Sequence, residues 1–211
     1  MGHKLLLIGG GGHCKSVLDS LYQMNEYEDI GIIDAKSKVG ETVLDTPVVG
    51  TDQDLELLFE SGYKKAFITI GGIGDPEVRV KLTAHAKKIG FDFPNIIDSS
   101  AVVSPYSELT NGIFVGKKAV INAGAYVGEG AIVNSSSTIE HDCYVEAFSH
   151  IAPGSILCGG VKIGRETYIG AHSVIKQQVM VGSNTTIGMG SNVLRDVPSN
   201  ILAYGSPCKE V

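Results

Sequence analysis

Residues 151–193 read IAPGSI LCGGVK IGRETY IGAHSV IKQQVM VGSNTT IGMGSN V, and every block of six opens on Ile, Leu or Val. Extended towards the N-terminus, the rule holds at Ile97, Val103, Leu109, Val115, Ile121, Val127, Val133, Ile139 and Val145, seventeen positions in all. If such residues filled about a quarter of positions, a run like this would arise by chance on the order of once in ten billion trials. Glycine follows the aliphatic residue at 115, 127, 163, 169, 181 and 187. Four residues after the aliphatic one stands a small or β-branched residue, from Ala119, Ala125 and Ala131 through Ser137, Cys143, Ser149 and Ser155 to Ser173. A period of six fits neither an α-helix nor an alternating strand. It is the hexapeptide repeat of a parallel β-helix, one short strand and one turn per repeat. The aliphatic residue and the small residue are both expected to point inward. No hexapeptide is interrupted, so no long loop is expected to leave the coil.

The N-terminal half has another rhythm. Lys4 to Ile8 reads as a strand, Gly9 to Gly12 as a turn and His13 to Met24 as a helix. Strands are expected at Ile30–Asp34 and Lys65–Ile70, the second closed by Gly71 and Gly72. Helices are expected over Asp52–Ser61, with Thr51 as N-cap, and over Pro76–Gly90, with Gly90 as C-cap. This alternation predicts a small parallel sheet flanked by helices, a Rossmann-like α/β domain. The expected domains are 1–94 and 95–211.

Bulk composition narrows the partners. Hydrophobic residues make up 43% and charged residues 19% of the 211 positions, a balance suited to a globular protein. A net charge of -6 offers no general attraction to nucleic acid or to an anionic membrane. The apolar run Leu5–Ile8 is too short for a signal peptide or a membrane span. Cys14, Cys143, Cys158 and Cys208 form no C-x-x-C pair and no zinc-spaced cluster. Reduced thiols in the cytoplasm, and no bound metal, are the expectation.

The repeat resembles that of the hexapeptide acyltransferases, and the ending Gly205-Ser206-Pro207-Cys208-Lys209 is similar to their Gly-x-Pro-Ala-Lys/Arg terminus, with Cys208 in place of Ala. The resemblance implies a left-handed triangular prism of about eighteen residues per coil. The whole chain resembles a narrower group, the nucleotide-amino-sugar N-acetyltransferases together with proteins labelled sialic acid O-acetyltransferase. The matching segments are Ile8-Gly9-Gly10-Gly11-Gly12-His13, Ile33-Asp34, Ile70-Gly71 and above all Asn134-Ser135-Ser136-Ser137-Thr138-Ile139-Glu140-His141-Asp142-Cys143. Ser149-His150 and Gly159-Gly160 follow at the family's spacing. The resemblance implies acetyl-CoA as co-substrate, His141 as general base and Asp142 as its orienting partner. It places His150 in the active site and offers the Gly159 N–H to the thioester.

Repeat arithmetic examines these roles independently. His141 and Asp142 follow Ile139 by two and three residues, which places them outward at a corner. Eighteen residues on stands Gly159, without a side chain, where its N–H could meet a developing oxyanion. Gly160 shares that corner. His150 faces outward half a coil away, and Ala171 is expected on the same face one coil higher. By this count His141 and His150 do not readily share a site within one subunit but can meet across an interface between neighbouring prisms. The resemblance, to a family whose trimers place active sites in such grooves, implies a homotrimer with three intersubunit sites. An imidazole suits the base role because its ordinary pKa of about 6.5 lies near working pH.

The glycine loop between a strand and a helix suits a phosphate at a helix N-terminus. The dinucleotide fingerprint fails, because G-x-G-x-x-G needs glycine where Cys14 or Lys15 stands, and a nicotinamide cofactor is disfavoured. By resemblance, Gly10, Gly11, Gly12, His13, Asp34, Lys36 and Gly71 hold the nucleotide sugar, with Asn134 at the acceptor. The leading expectation is acetyl-CoA-dependent N-acetylation of a nucleotide-linked 4-amino-4,6-dideoxy sugar. The alternative is O-acetylation of sialic acid or another sugar hydroxyl. A noncatalytic β-helix scaffold is the third reading, and the lack of a third histidine at a matching corner weighs against its metal-binding form.

Overall fold

The computed structural model describes residues 4–72 and 76–211. Two compact units divide near residue 97. The first is built on a five-stranded sheet. Strands β1 (Lys4–Ile8), β2 (Asp29–Ile33), β3 (Thr42–Val43), β4 (Thr46–Gly50) and β5 (Lys65–Ile68) lie in the order β3-β4-β2-β1-β5. All neighbours are parallel except β3, which runs antiparallel on the outer edge. Helices α1 (Gly12–Met24), α2 (Leu55–Glu60) and α3 (Glu77–Ile89) complete the unit. This is the expected Rossmann-like arrangement.

The core of this unit follows from its apolar pattern. Leu5, Leu6, Leu7, Ile32 and Ile33 are fully buried, as an internal pair of parallel strands requires. Thr51 caps the turn before α2, its hydroxyl accepting from the Gln53 N–H while Asp54 returns a carboxylate to the Thr51 N–H. Gly90 closes α3 with φ +117, as expected of a C-cap glycine. The hairpin of β3 and β4 went unpredicted, because β3 is only two residues long and Pro47 interrupts β4.

The second unit is a left-handed parallel β-helix. Strands of two residues stack in parallel register at eighteen-residue steps, as in Val120, Thr138, Ile156, Val174 and Asn192. Three sheets form its faces. The aliphatic repeat positions from Val115 to Val193 are at most 2% exposed. They stack into three inner columns, and each buried side chain contributes roughly 1.5–3 kcal/mol. The small positions are buried as well, and their hydroxyls are satisfied inside. Ser149, Ser155, Thr167 and Ser173 each donate to a carbonyl fifteen residues on, at 2.7–2.9 Å.

Each turn from Gly112 to Gly190 places one residue in the left-handed region, three after the aliphatic one. Lys118, Ser136, Asp142, Glu166, His172 and Gln178 all have φ between 56° and 61°. Such residues gain nothing locally from this conformation. It is imposed by the stack, because only a tight turn lets the next strand fall into register. Close approach elsewhere demands glycine: a Cβ at Gly164 would meet the Ser183 nitrogen at 2.5 Å.

Candidate active site

Two clusters of the expected residues lie on the β-helix. The first is at the corner after strand Thr138–Ile139. His141 Nδ1 and Asp142 Oδ2 are 2.8 Å apart. A carboxylate accepts only, so Nδ1 carries the proton and Nε2 of the neutral ring has a free lone pair. The hydrogen bond to Asp142 raises the His141 pKa, and the charges of Asp142 and Glu140 add to the effect while desolvation opposes it. Glu140 is itself anchored one coil below, where Asn122 Nδ2 donates to Oε2 at 2.9 Å.

Above the ring stands the bare backbone of Gly159. A Cβ there would lie 2.5 Å from His141 Nε2 and 2.6 Å from Cε1. Glycine is thus required for the ring to rest where it does. Gly160 locks the two coils together by donating to the His141 carbonyl at 2.9 Å. The basic nitrogen and the Gly159 backbone therefore share one small volume, open to the outside.

The second cluster lies on the sheet formed by Ile132–Val133, His150–Ile151 and Tyr168–Ile169. Asn134 Oδ1 accepts from the Ser135 N–H at 2.8 Å, which turns Nδ2 towards His150 Nε2 at 3.1 Å. Nε2 of His150 consequently accepts, and its proton sits on Nδ1. The ring of Tyr168 meets that of His150 edge-on at 5.2 Å between centroids. Tyr168, not Ala171, is the residue one coil above His150. Ala171 lies in the turn that follows, half-buried, its carbonyl accepting from Gly190. The expectation for Ala171 miscounted by three residues, since the stacking step is eighteen.

In the N-terminal unit, α1 starts on the glycine loop with no side-chain cap at Gly11. The first N–H groups of a helix have no partner within the helix itself. Two adjoining clefts meet here. One of about 400 Å³ is lined by Gly9 to His13, Asp34, Lys38 and Gly71 among others. The other, of about 420 Å³, is lined by Asp34, Ala35, Lys36 and Thr51 to Gln53 among others. Gly10, Gly11, Gly12, His13, Asp34 and Gly71 border the first cleft and Lys36 the second, and the two share Gly9, Asp34 and Ile70. Asp34 stands at the junction, bound by the Gly10 N–H at 2.7 Å, the Ala35 N–H at 2.6 Å and Lys38 Nζ at 2.9 Å. Burial alone would raise its pKa, but the Ala35 N–H, Lys38 and the Gly10 N–H outweigh it and hold the carboxyl below its usual range.

His13 is the neutral member of this recess. Burial, helped by the charge of Arg79, lowers its pKa to about 4. Above pH 6.5 the ring is uncharged both folded and unfolded. Below 6.5 the unfolded chain takes up a proton that the native ring refuses until about pH 4. Up to roughly 3 kcal/mol of stability is therefore lost as pH falls through that window. His13→Asn is expected to flatten the pH dependence of the urea midpoint between pH 6.5 and 4 relative to the parent. Identical slopes would refute it.

Comparisons with known proteins give the family. Residues 4–86 match the model of the PglD N-terminal domain. Residues 142–177 and 160–195 match the bacterial transferase hexapeptide of six repeats. The chain is 38% identical to a mutant of perosamine N-acetyltransferase from Caulobacter crescentus, solved in complex with CoA and GDP-perosamine. The match covers 99% of this chain and 96% of that one, with a TM-score of 0.93. It is 34% identical to the acetyltransferase domain of PglB from Neisseria gonorrhoeae FA1090 in complex with acetyl coenzyme A, over 100% of both chains, TM-score 0.91. The chain belongs to the PglD-like hexapeptide acyltransferases.

Several residues that shape the site of this acyltransferase escaped the sequence reading. Lys38 was missed although it stands four residues after Asp34. Gly124, Asn122 and Tyr168 were legible in principle, being eighteen residues from Asp142, Glu140 and His150. Among the described residues, no group of three or more His, Cys, Asp and Glu is placed to hold a metal ion. No helix among them is long and apolar enough to cross a membrane.

Proposed function

We propose that this PglD-like protein is an acetyl-CoA-dependent N-acetyltransferase acting on a nucleotide-linked 4-amino-4,6-dideoxy sugar, with His141 as general base. One observation carries the reading: Asp142 holds His141 with Nε2 unprotonated beside the side-chain-free Gly159. The sugar amine attacks the thioester carbonyl and gives its proton to Nε2. The developing oxyanion is met by the Gly159 N–H. The C–S bond then breaks, and the imidazolium protonates the departing CoA thiolate. Asp142 stabilises the imidazolium between these steps.

Two further features support the acceptor and the assembly. The recess around Asp34 joins a helix N-terminus suited to phosphate with a strand-end carboxylate suited to a ribose. That favours an acceptor carried on a nucleotide. The Caulobacter relative was solved with CoA and GDP-perosamine, and the Neisseria relative with acetyl coenzyme A. His141 and the Asn134–His150 pair lie on different faces of one prism, so a complete site needs a second copy. The sheet that contains strand Thr138–Ile139 presents Val102, 63% exposed, and Ile156, 38% exposed, as outward apolar residues. A homotrimer that covers this column and joins the two clusters accounts for both. The four free thiols suit a reducing cytoplasm.

The test is thiol release from acetyl-CoA with a panel of GDP-, UDP- and dTDP-linked 4-amino sugars beside free sialic acid, on protein sized by light scattering. Turnover on one nucleotide amino sugar by a particle of about three chain masses is expected. Turnover on sialic acid alone would replace N- by O-acetylation, and a fully active monomer would refute the shared site.

A further inference from the structure

The carboxylate that orients the base has a floor. Asp142 sits in the left-handed region at φ 61°, its N–H bound to the Ala123 carbonyl one coil below at 3.2 Å. Eighteen residues before Asp142 is Gly124. A Cβ on Gly124 would lie 2.5 Å from Asp142 Oδ1 and 3.5 Å from its Cγ. One carboxylate oxygen therefore rests against the Gly124 backbone while the other accepts from His141 Nδ1.

We propose that Gly124 is a positioning residue for acetyl transfer, its bare Cα setting the height of the Asp142 carboxylate and, through it, the imidazole. This rests on the reading of His141 as the base. The rival explanation is that Gly124 is needed only for its own φ of +74°. Yet equivalent turn positions hold Lys118, Ser136, Glu166, His172 and Gln178 at φ 56–61°. The turn itself accepts side chains; what distinguishes position 124 is the carboxylate above it. Gly190 supplies the contrast, with φ +68° and nothing within 4 Å of a Cβ placed there.

Gly124 and Gly159 then act from opposite sides. The lower glycine seats the acid and the upper one seats the ring, so that a dyad of exposed side chains is held by backbone at both ends. The ionisable groups around the ring are few. Glu140 and Asp142 lie on its own turn, the turn below holds none, and the turn above holds only the Cys158 thiol. Tyr144, Glu146 and Lys162 line the neighbouring cleft with Asp142. A carboxylate displaced from Nδ1 is thus the change expected to move the imidazole titration.

The experiment titrates the His141 imidazole by NMR in the full-length protein, its signal assigned by loss in His141→Ala. In Gly124→Ala the His141 pKa is expected to fall towards the ordinary imidazole value of about 6.5. In Gly190→Ala, which bears the same backbone strain, it stays at the parent value. The kcat/KM for acetyl transfer drops about 10- to 100-fold in Gly124→Ala with its acid limb moved to lower pH, and less than about twofold in Gly190→Ala. An unchanged His141 titration in Gly124→Ala, or equal changes in the two variants, would overturn the proposal. Should Gly124→Ala not fold, Gly124→Asn and Gly190→Asn serve the same comparison, because Asn enters the left-handed region readily. The titration needs no substrate, so an inactive parent protein would count against the base assignment alone.

Discussion

His141→Ala is expected to lower kcat/KM for acetyl transfer by about 10²- to 10⁴-fold while leaving the fold intact. The range is what a positioned general base supplies in such reactions. The side chain is exposed, bonds only to its neighbour Asp142, and contributes nothing to the inner columns. Its loss should therefore leave thermal unfolding and acetyl-CoA binding near parent values. The pH profile adds a sign. The base works when neutral, so activity rises with pH through its pKa, which Asp142 holds above the usual imidazole value. Asp142→Asn should lower activity and shift that limb to lower pH, because the charge that favours the protonated ring is gone. Parent-like turnover by His141→Ala would remove the base from the mechanism.

Gly159→Ala is the second large effect. Gly159 has an ordinary backbone conformation, so alanine costs the turn little. The new Cβ would lie 2.5 Å from Nε2, well inside contact distance, and the atoms it meets all belong to the His141 ring. The ring must turn off Asp142 or the coil must lift. Either misplaces the base by a sizeable fraction of an ångström, for which a loss of about 100-fold in kcat/KM is expected. The KM for acetyl-CoA should rise as well, since the methyl group takes space assigned to the thioester. A variant within twofold of the parent in both constants would show that the shelf above His141 is not used.

The pattern of six made the prism legible before any coordinates, because each inward aliphatic residue is buried by its counterpart one coil away. That requirement recurs at every coil and so prints a strict period on the sequence. The same arithmetic located the His141 corner and the empty position above it. Where the count slipped, as with Ala171, the residue truly above His150 was Tyr168. The glycine loop, Asp34 and His13 were readable because a strand, a tight turn and a helix N-terminus leave local marks.

Other features leave none. The β3–β4 hairpin is too short, and too interrupted by Pro47, to show a period. Lys118, Glu166 and Gln178 in the left-handed region carry no turn signal, because stacking of the whole coil overrides their own preference. Lys38 became a partner of Asp34 only when the chain after β2 coiled into a short 3₁₀ turn. The amide of Asn134 acquired its direction from the Ser135 N–H, and that in turn decided which nitrogen of His150 bears the proton. The sequence by itself determined the repeat, the two units and the residue types at the corner, since these depend on burial at fixed spacing. Tertiary structure alone decided the contacts of ångström scale, with an Asp142 carboxylate oxygen against the Gly124 backbone and His141 Nε2 against that of Gly159, because a side chain meets a backbone eighteen residues away only once the coils are stacked.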